Sequence, residues 1–228
     1  MIKNKKAYVY CISLCMAPGV VILHAQQQTP TLQIAHGTPP VPTSTTVKIV
    51  QGNIVAQNVE AVVNAANESL RGGGGVCGAL FNAAGWQQLQ NECNQFPLHK
   101  QGVRCSTGDA VVTSSCGLKK QGIQFIIHAV GPDCRVIKDT RKQKKLLARA
   151  YTKSLEKAAA LSLKSIAFPF ISSAIFACPP DLASTTALEA VRDFIAHHPQ
   201  SSLKEIRFVL FSEKDYKLFQ TKKSEIFV

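Results

Sequence analysis

Residues 61–85 read AVVNAANESLRGGGGVCGALFNAAG, and four consecutive glycines separate an apolar run from a helix-forming one. Glycine loses more backbone freedom on folding than any other residue. A run of four is therefore kept where the backbone must approach something a Cβ would block. Ala61-Val-Val63 is a compact, strand-like segment. Val76 to Gly85 and then Trp86 to Cys93 have helical character, ended by Asn94 and Pro97. A strand, a glycine loop and a helix start together form an anion site. Bare N–H groups point outward, the helix dipole adds partial positive charge, and missing side chains let a phosphate come close. No Lys-Ser/Thr follows the glycines, and the GxGxxG spacing is absent, which excludes the P-loop and the dinucleotide fingerprint. Gly72, Gly73, Gly74, Gly75 and Val76 are candidates for a phosphate cradle. Asn64 and Asn67 carry carboxamides that donate and accept, which suits sugar hydroxyls beside a phosphate; loop capping is the plainer use of the same residues.

The rest of the chain alternates strand and helix patterns. Strand-like runs occur at Val47–Val50, Ala110–Thr113, Gln124–His128, Ser165–Phe168 and Glu205–Phe211. Arg141–Leu161 carries Leu146, Leu147, Ala150, Tyr151, Leu155 and Ala158 at helical spacing, and further helices are expected at Asp181–His197 and Glu213–Gln220. This alternation argues for a three-layer α/β/α sandwich with a mixed, mostly parallel central sheet. Ligands of such sheets sit at the carboxyl ends of the strands. Two unusual loops, after Asn64 and after Phe168, leave the sheet at such ends.

The first 25 residues differ in kind. Lys3, Lys5 and Lys6 precede an apolar run from Ala7 to Leu23, which closes on a small residue at Ala25. That is the form of a secretory signal peptide, with an uncleaved membrane anchor as the alternative. Residues 26–45, rich in Gln, Pro, Thr and Ser, read as a flexible linker to a domain spanning 46–228. The net charge of +12 falls to +9 if the signal is removed, so attraction to anions survives processing. Six cysteines follow the signal without a CxxC pair. An exported chain can form disulfides, and neither metal nor cofactor is expected. Lys138, Arg141, Lys142, Lys144, Lys145 and Arg149 cluster at the start of the long helix. They read as a solvated face, with a nucleic-acid patch as the alternative and no interleaved aromatics to support it.

The glycine-loop segment closely resembles the ligand loop of macrodomains. The likeness runs over roughly residues 46–220. It includes Gly52-Asn-Ile54, Thr107-Gly-Asp-Ala-Val-Val-Thr113, Phe125-Ile-Ile-His-Ala-Val-Gly-Pro132, Phe168-Pro-Phe-Ile-Ser-Ser-Ala-Ile-Phe176 and Phe208-Val-Leu-Phe-Ser-Glu-Lys-Asp-Tyr216. The resemblance implies recognition of ADP-ribose, free or on a modified protein, by a monomer. It implies Asn53 and Ile54 at the adenine, with Phe211 packed on the ring. Gly72–Val76 and the loop of Ser172, Ser173, Ala174, Ile175 and Phe176 would enclose the diphosphate. Asn64 and Asn67 would face the distal ribose, walled by Phe176.

The departures from that pattern fall in the site. Asn53 stands where the family usually has an aspartate, and it can still accept through its carbonyl. Cys77 stands where the hydrolase branch has an aspartate thought to activate water, a general-base role worth on the order of 10²–10⁴-fold in rate. Ala174 and Ala177 replace glycines of the second loop. The expectation is therefore a binder of ADP-ribose with weak or no hydrolysis. The alternatives are a hydrolase of ADP-ribosyl or O-acetyl-ADP-ribose bonds, which would work through Asn67 and Cys77, and a basic nucleic-acid-binding module.

Overall fold

The computed structural model describes residues 45–99 and 102–227. The expected signal segment lies outside the described residues, as does the linker up to residue 44. No helix among the described residues is long and apolar enough to cross a membrane.

Six strands form one sheet: β1 (Thr46–Gln51), β2 (Ala61–Ala65), β3 (Ala110–Ser114), β4 (Phe125–Ala129), β5 (Ser165–Phe168) and β6 (Glu205–Leu210). Their order is β1-β6-β5-β2-β4-β3. Every neighbouring pair is parallel except β3–β4, which is antiparallel and puts β3 on one edge. Among the described residues, five helices flank the sheet: α1 (Gly75–Ala84), α2 (Trp86–Asn94), α3 (Thr140–Ala160), α4 (Pro180–His197) and α5 (Glu213–Ile226).

The period-two pattern of the strands builds two cores. Ala61 and Val63, Ile127 and Ala129, Ile166 and Phe168, and Ile206 and Phe208 face the layer of α3, α4 and α5. Residues of the opposite parity (Val62, Ile126, Ala167 and Val209) face α1 and α2. A parallel strand covered on both faces reads as continuous apolar sequence, which is why these runs are so compact.

The elements match the sequence expectation with three differences. Helix α5 runs on to Ile226. Its start is capped by Ser212, whose Oγ accepts from Asp215 N, and the pairs Lys217–Glu213 and Lys222–Glu225 carry it past the apolar periodicity. Two short 3₁₀ turns among the described residues, Ile54–Ala56 and Cys116–Gln121, occupy segments to which the sequence pattern assigns no element.

Behind the sheet's binding edge, Phe208 stacks at tilted angles on Tyr151, Phe168 and Phe219, with ring centroids 5.9, 5.8 and 5.1 Å apart. All four rings are fully buried. Phe208→Ala is expected to lower unfolding free energy by about 3–5 kcal/mol in urea denaturation. Phe211→Ala, at an 84 % exposed position, should leave it within about 0.5 kcal/mol.

Candidate ligand cleft

The cleft opens at the carboxyl ends of the parallel strands. Helix α1 starts there, with Gly74 in the capping position and no side chain bonded to its first N–H groups. The first four N–H groups of a helix lack internal acceptors, so this end presents donors and the positive end of the dipole. Gly78 lets the first turn lie against its own loop, because a Cβ there would come 2.6 Å from the Gly73 carbonyl oxygen. Gly75, at φ +60, takes a conformation that side chains disfavour.

Facing α1 is the loop after β5. Its entry is fixed by Tyr151 of α3, whose hydroxyl donates to Pro169 O at 3.3 Å and accepts from Ile171 N at 3.2 Å. Ser172 and Ala177 hold positive φ (63° and 48°), each costing about 1–2 kcal/mol. Of the two alanines that replace glycines, only Ala177 adopts that conformation. A disulfide between Cys134 and Cys178, with Cα atoms 4.9 Å apart, ties this loop to the one after β4. Cys134 N also donates to Phe176 O at 2.9 Å.

Between these walls lie two compartments. The inner one, of about 260 Å³, is lined by Asn67, Gly73–Cys77, Gly131, Ile171, Ser172 and Ala174–Phe176, among others. The outer one, of about 480 Å³, is lined by Gly52, Asn53, Ile54, Ala79, Ser173, Phe211 and Asp215, among others. Gly75, Val76, Phe170 and Ala174 belong to both, so the two join into one cleft. Among the described residues, Asp215 is the one charged side chain lining either compartment. An anion in this cleft would be met by backbone dipoles.

Two of the residues expected to touch ligand are placed otherwise. Asn64 is buried behind the cleft, with Nδ2 3.1 Å from His128 Nδ1 and 3.6 Å from Cys77 Sγ. Strand alternation puts Asn64, like Val62, on the side of the sheet covered by α1 and α2, under the helix that starts at the cleft. Gly72 donates its N–H to Gln90 Oε1 at 3.0 Å, and a Cβ on it would strike Trp86 and Phe81. It serves helix packing. Asn67 does line the cleft, but its Oδ1 accepts from Ser69 Oγ and Arg71 N, and its Nδ2 donates to Arg71 O. One Nδ2 proton remains to donate, and both lone pairs of Oδ1 are in use. Asn67 can orient a hydroxyl but has no capacity left to act as a base.

Cys77 is buried at the rear of the cleft, and burial pushes its thiol above the usual cysteine range, outweighing the Asn64 and Gly73 hydrogen bonds. It is a neutral thiol, so neither a general base nor an activated nucleophile. Behind it, His128 is fully buried, with Nε2 2.9 Å from Thr113 Oγ1. Burial pulls its imidazole down to about 4, so it too is neutral. The rear wall therefore offers no charged acid or base.

Sequence reasoning missed Gly131, Phe170 and Ile171 in the cleft wall. Gly131 was legible in principle as part of Gly131-Pro132 at a strand end. A Cβ there would lie 2.2 Å from the Ser172 hydroxyl, which is buried without a partner.

The sequence profile of the Macro domain family matches residues 63–187. The chain belongs to the macro domain family. It is 40% identical to a Cronobacter sakazakii protein named an O-acetyl-ADP-ribose deacetylase, over 76% of this chain and 91% of that one. Its fold superposes with a TM-score of 0.71 on an Oceanobacillus iheyensis macrodomain solved with ADP, at 36% identity, over 80% of this chain and 92% of that one. It superposes with a TM-score of 0.67 on a Trypanosoma brucei macrodomain in complex with ADP-ribose, at 28% identity, over 80% and 71% of the two chains.

Between the ordinary histidine value of about 6.5 and the buried value of about 4, the unfolded chain binds more protons than the folded one. The stability linked to His128 is therefore complete above about pH 6.5 and lost as the pH falls to about 4. Chemical denaturation across that window should show the decline, and His128→Asn should flatten it. Replacing both Cys134 and Cys178 by serine is expected to cost about 2–4 kcal/mol in the same measurement.

Proposed function

We propose that the domain binds ADP-ribose, free or attached to protein, and hydrolyses its bonds weakly or not at all. One observation carries the reading. A cleft with a single carboxylate is walled by the uncapped start of α1 and the Ser172–Phe176 loop, and Cys77 stands as a neutral thiol at its rear. The ADP and ADP-ribose held by the Oceanobacillus and Trypanosoma macrodomains support the same choice.

In this reading the diphosphate lies in the inner compartment against Gly73–Val76 and Ser172–Phe176. The distal ribose reaches Asn67 and Phe176, and the base lies in the outer compartment beside Phe211. Attack of water on the ribose needs a proton acceptor. Cys77, Asn67 and His128 supply none that is charged, so binding outlasts chemistry. The second reading, removal of the acetyl group from O-acetyl-ADP-ribose, draws on the name of the Cronobacter relative.

Export is part of the proposal. The lysine-then-apolar start has the form of a signal peptide, and the Cys134–Cys178 disulfide suits an oxidising compartment.

Calorimetry should give saturable binding of ADP-ribose, and no heat at millimolar ligand would end the reading. On a mono-ADP-ribosylated protein or on O-acetyl-ADP-ribose, the natural sequence should release little product. Cys77→Asp, which supplies a carboxylate at the rear wall, should raise release by on the order of 10²-fold. Rapid turnover by the natural sequence would favour the enzyme reading instead.

A further inference from the structure

The Ser172–Phe176 wall of the cleft is a strained arch. Ser172 and Ala177, at its two feet, hold positive φ, a conformation that a Cβ disfavours. The Ser172 hydroxyl is buried without a hydrogen-bond partner, a further cost of this shape. Ala174, Ile175 and Ala177 stand in solvent and bury little that would offset it. A loop of this kind keeps its shape only where its surroundings impose it.

The near foot is well held. Ile171 N donates to the buried Tyr151 hydroxyl at 3.2 Å, and Ser173 Oγ donates to Phe170 O at 2.8 Å. Ile171 and Ser172 pack so closely on Gly131 that a Cβ there would strike both. The far foot has fewer ties. Cys178 N donates to Ser172 O at 2.9 Å, which closes the arch on itself. Pro179 and Pro180 then lead into α4, and neither has an N–H to offer. Two links join this foot to the loop after β4: Cys134 N on Phe176 O at 2.9 Å, and the disulfide between Cys134 and Cys178. Cys134 itself sits in a firm turn. Val136 N and Ile137 N both donate to Asp133 O, at 3.1 and 2.9 Å, and the Asp133 carboxylate pairs with Arg135 at 2.7 Å. The disulfide thus fastens a strained arch to a closed turn.

We propose that the Cys134–Cys178 disulfide is a redox switch on the cleft: the oxidised form holds the second wall in its anion-binding shape, and reduction releases that wall and weakens binding. The inference rests on the reading that ADP-ribose occupies the cleft with its diphosphate against this loop. Once reduced, the arch can exchange its positive-φ conformations for ordinary ones, and ligand binds only the fraction that keeps the native shape.

The co-reactant is a dithiol. Its thiolate attacks the Cys134 sulfur, the less buried of the two at 7 % exposure against 2 % for Cys178. The S–S bond breaks, and Cys178 leaves as a thiolate that takes up a proton. The second thiol of the reductant then displaces Cys134 as a thiol, so two electrons pass to the protein and the reductant ends as a disulfide. Cys77, Cys93, Cys105 and Cys116 are free thiols already, so among the described residues one bond answers to the reductant. For an exported chain, the wall would be fastened only after it leaves a reducing compartment.

The test is calorimetry with ADP-ribose on the full chain, oxidised and after dithiothreitol. Peptide mass spectrometry follows the Cys134–Cys178 bond, and circular dichroism follows the fold. Reduction should weaken binding about tenfold, the loss expected when about one loop in ten keeps the binding shape, and reoxidation should restore it. Cys134→Ser combined with Cys178→Ser should match the reduced protein and be indifferent to dithiothreitol. Hydrogen exchange over residues 172–178 should quicken in both, while β2 and β5 stay protected. Equal affinity in the oxidised and reduced forms overturns the inference and leaves ADP-ribose binding standing. So does a bond that stays intact in the folded protein under excess dithiothreitol, or a reduced protein that loses its fold along with its ligand. If the oxidised protein binds no ADP-ribose, the reading of the cleft fails, and this inference with it.

Discussion

The cleft depends on how closely the first turn of α1 lies against the loop that leads into it. That approach is set where Gly78 passes the Gly73 carbonyl at a distance no side chain tolerates. A residue with a Cβ would push the helix outward and withdraw its N–H groups from the space opposite the Ser172–Phe176 loop. Gly72, wedged under Trp86 and Phe81, fixes the other end of the loop through α2. The glycines thus divide the work: some hold the helix in place, and the rest leave the backbone bare.

The second organising fact is the neutrality of the rear wall. Asn64, His128, Thr113 and Cys77 form a buried polar chain in which no member carries charge at neutral pH. Buried charge is costly without a partner, and each of these groups avoids it by staying neutral. Holding a ligand needs oriented dipoles, which the fold supplies. Breaking a bond in that ligand draws on a proton acceptor, and none of these four groups is a charged one.

Much of this was legible in the sequence. The strand–glycine–helix pattern announced an anion site, and period-two runs between helical stretches announced a parallel sheet. What stayed hidden was direction and competition. Asn64 and Asn67 look alike in sequence, yet strand alternation buries the first, while the turn at Ser69–Arg71 consumes most of the second. For Asn53, the residue type was readable, but the cap that engages one lone pair of its carbonyl exists only once the 3₁₀ turn forms. Cys77 sits at a helix start, which favours a thiolate, and burial overrides it. The pairing of Cys134 with Cys178 needed the two loops brought together in space.

Among the described residues no lysine or arginine lines the cleft, which has a consequence for how salt acts on this molecule. Mobile cationic side chains gather counterions that a bound polyanion must release, so their contacts weaken as ionic strength rises. Backbone N–H groups at a helix start hold no such ion cloud of their own, and a cleft screened by protein on both sides feels bulk salt weakly. The chain with a net charge of +12 therefore has two electrostatic regimes. Its outer surface, typified by the lysines of α3, responds to the medium, whereas the glycine-lined cleft presents an anion with backbone groups that carry no counterions of their own.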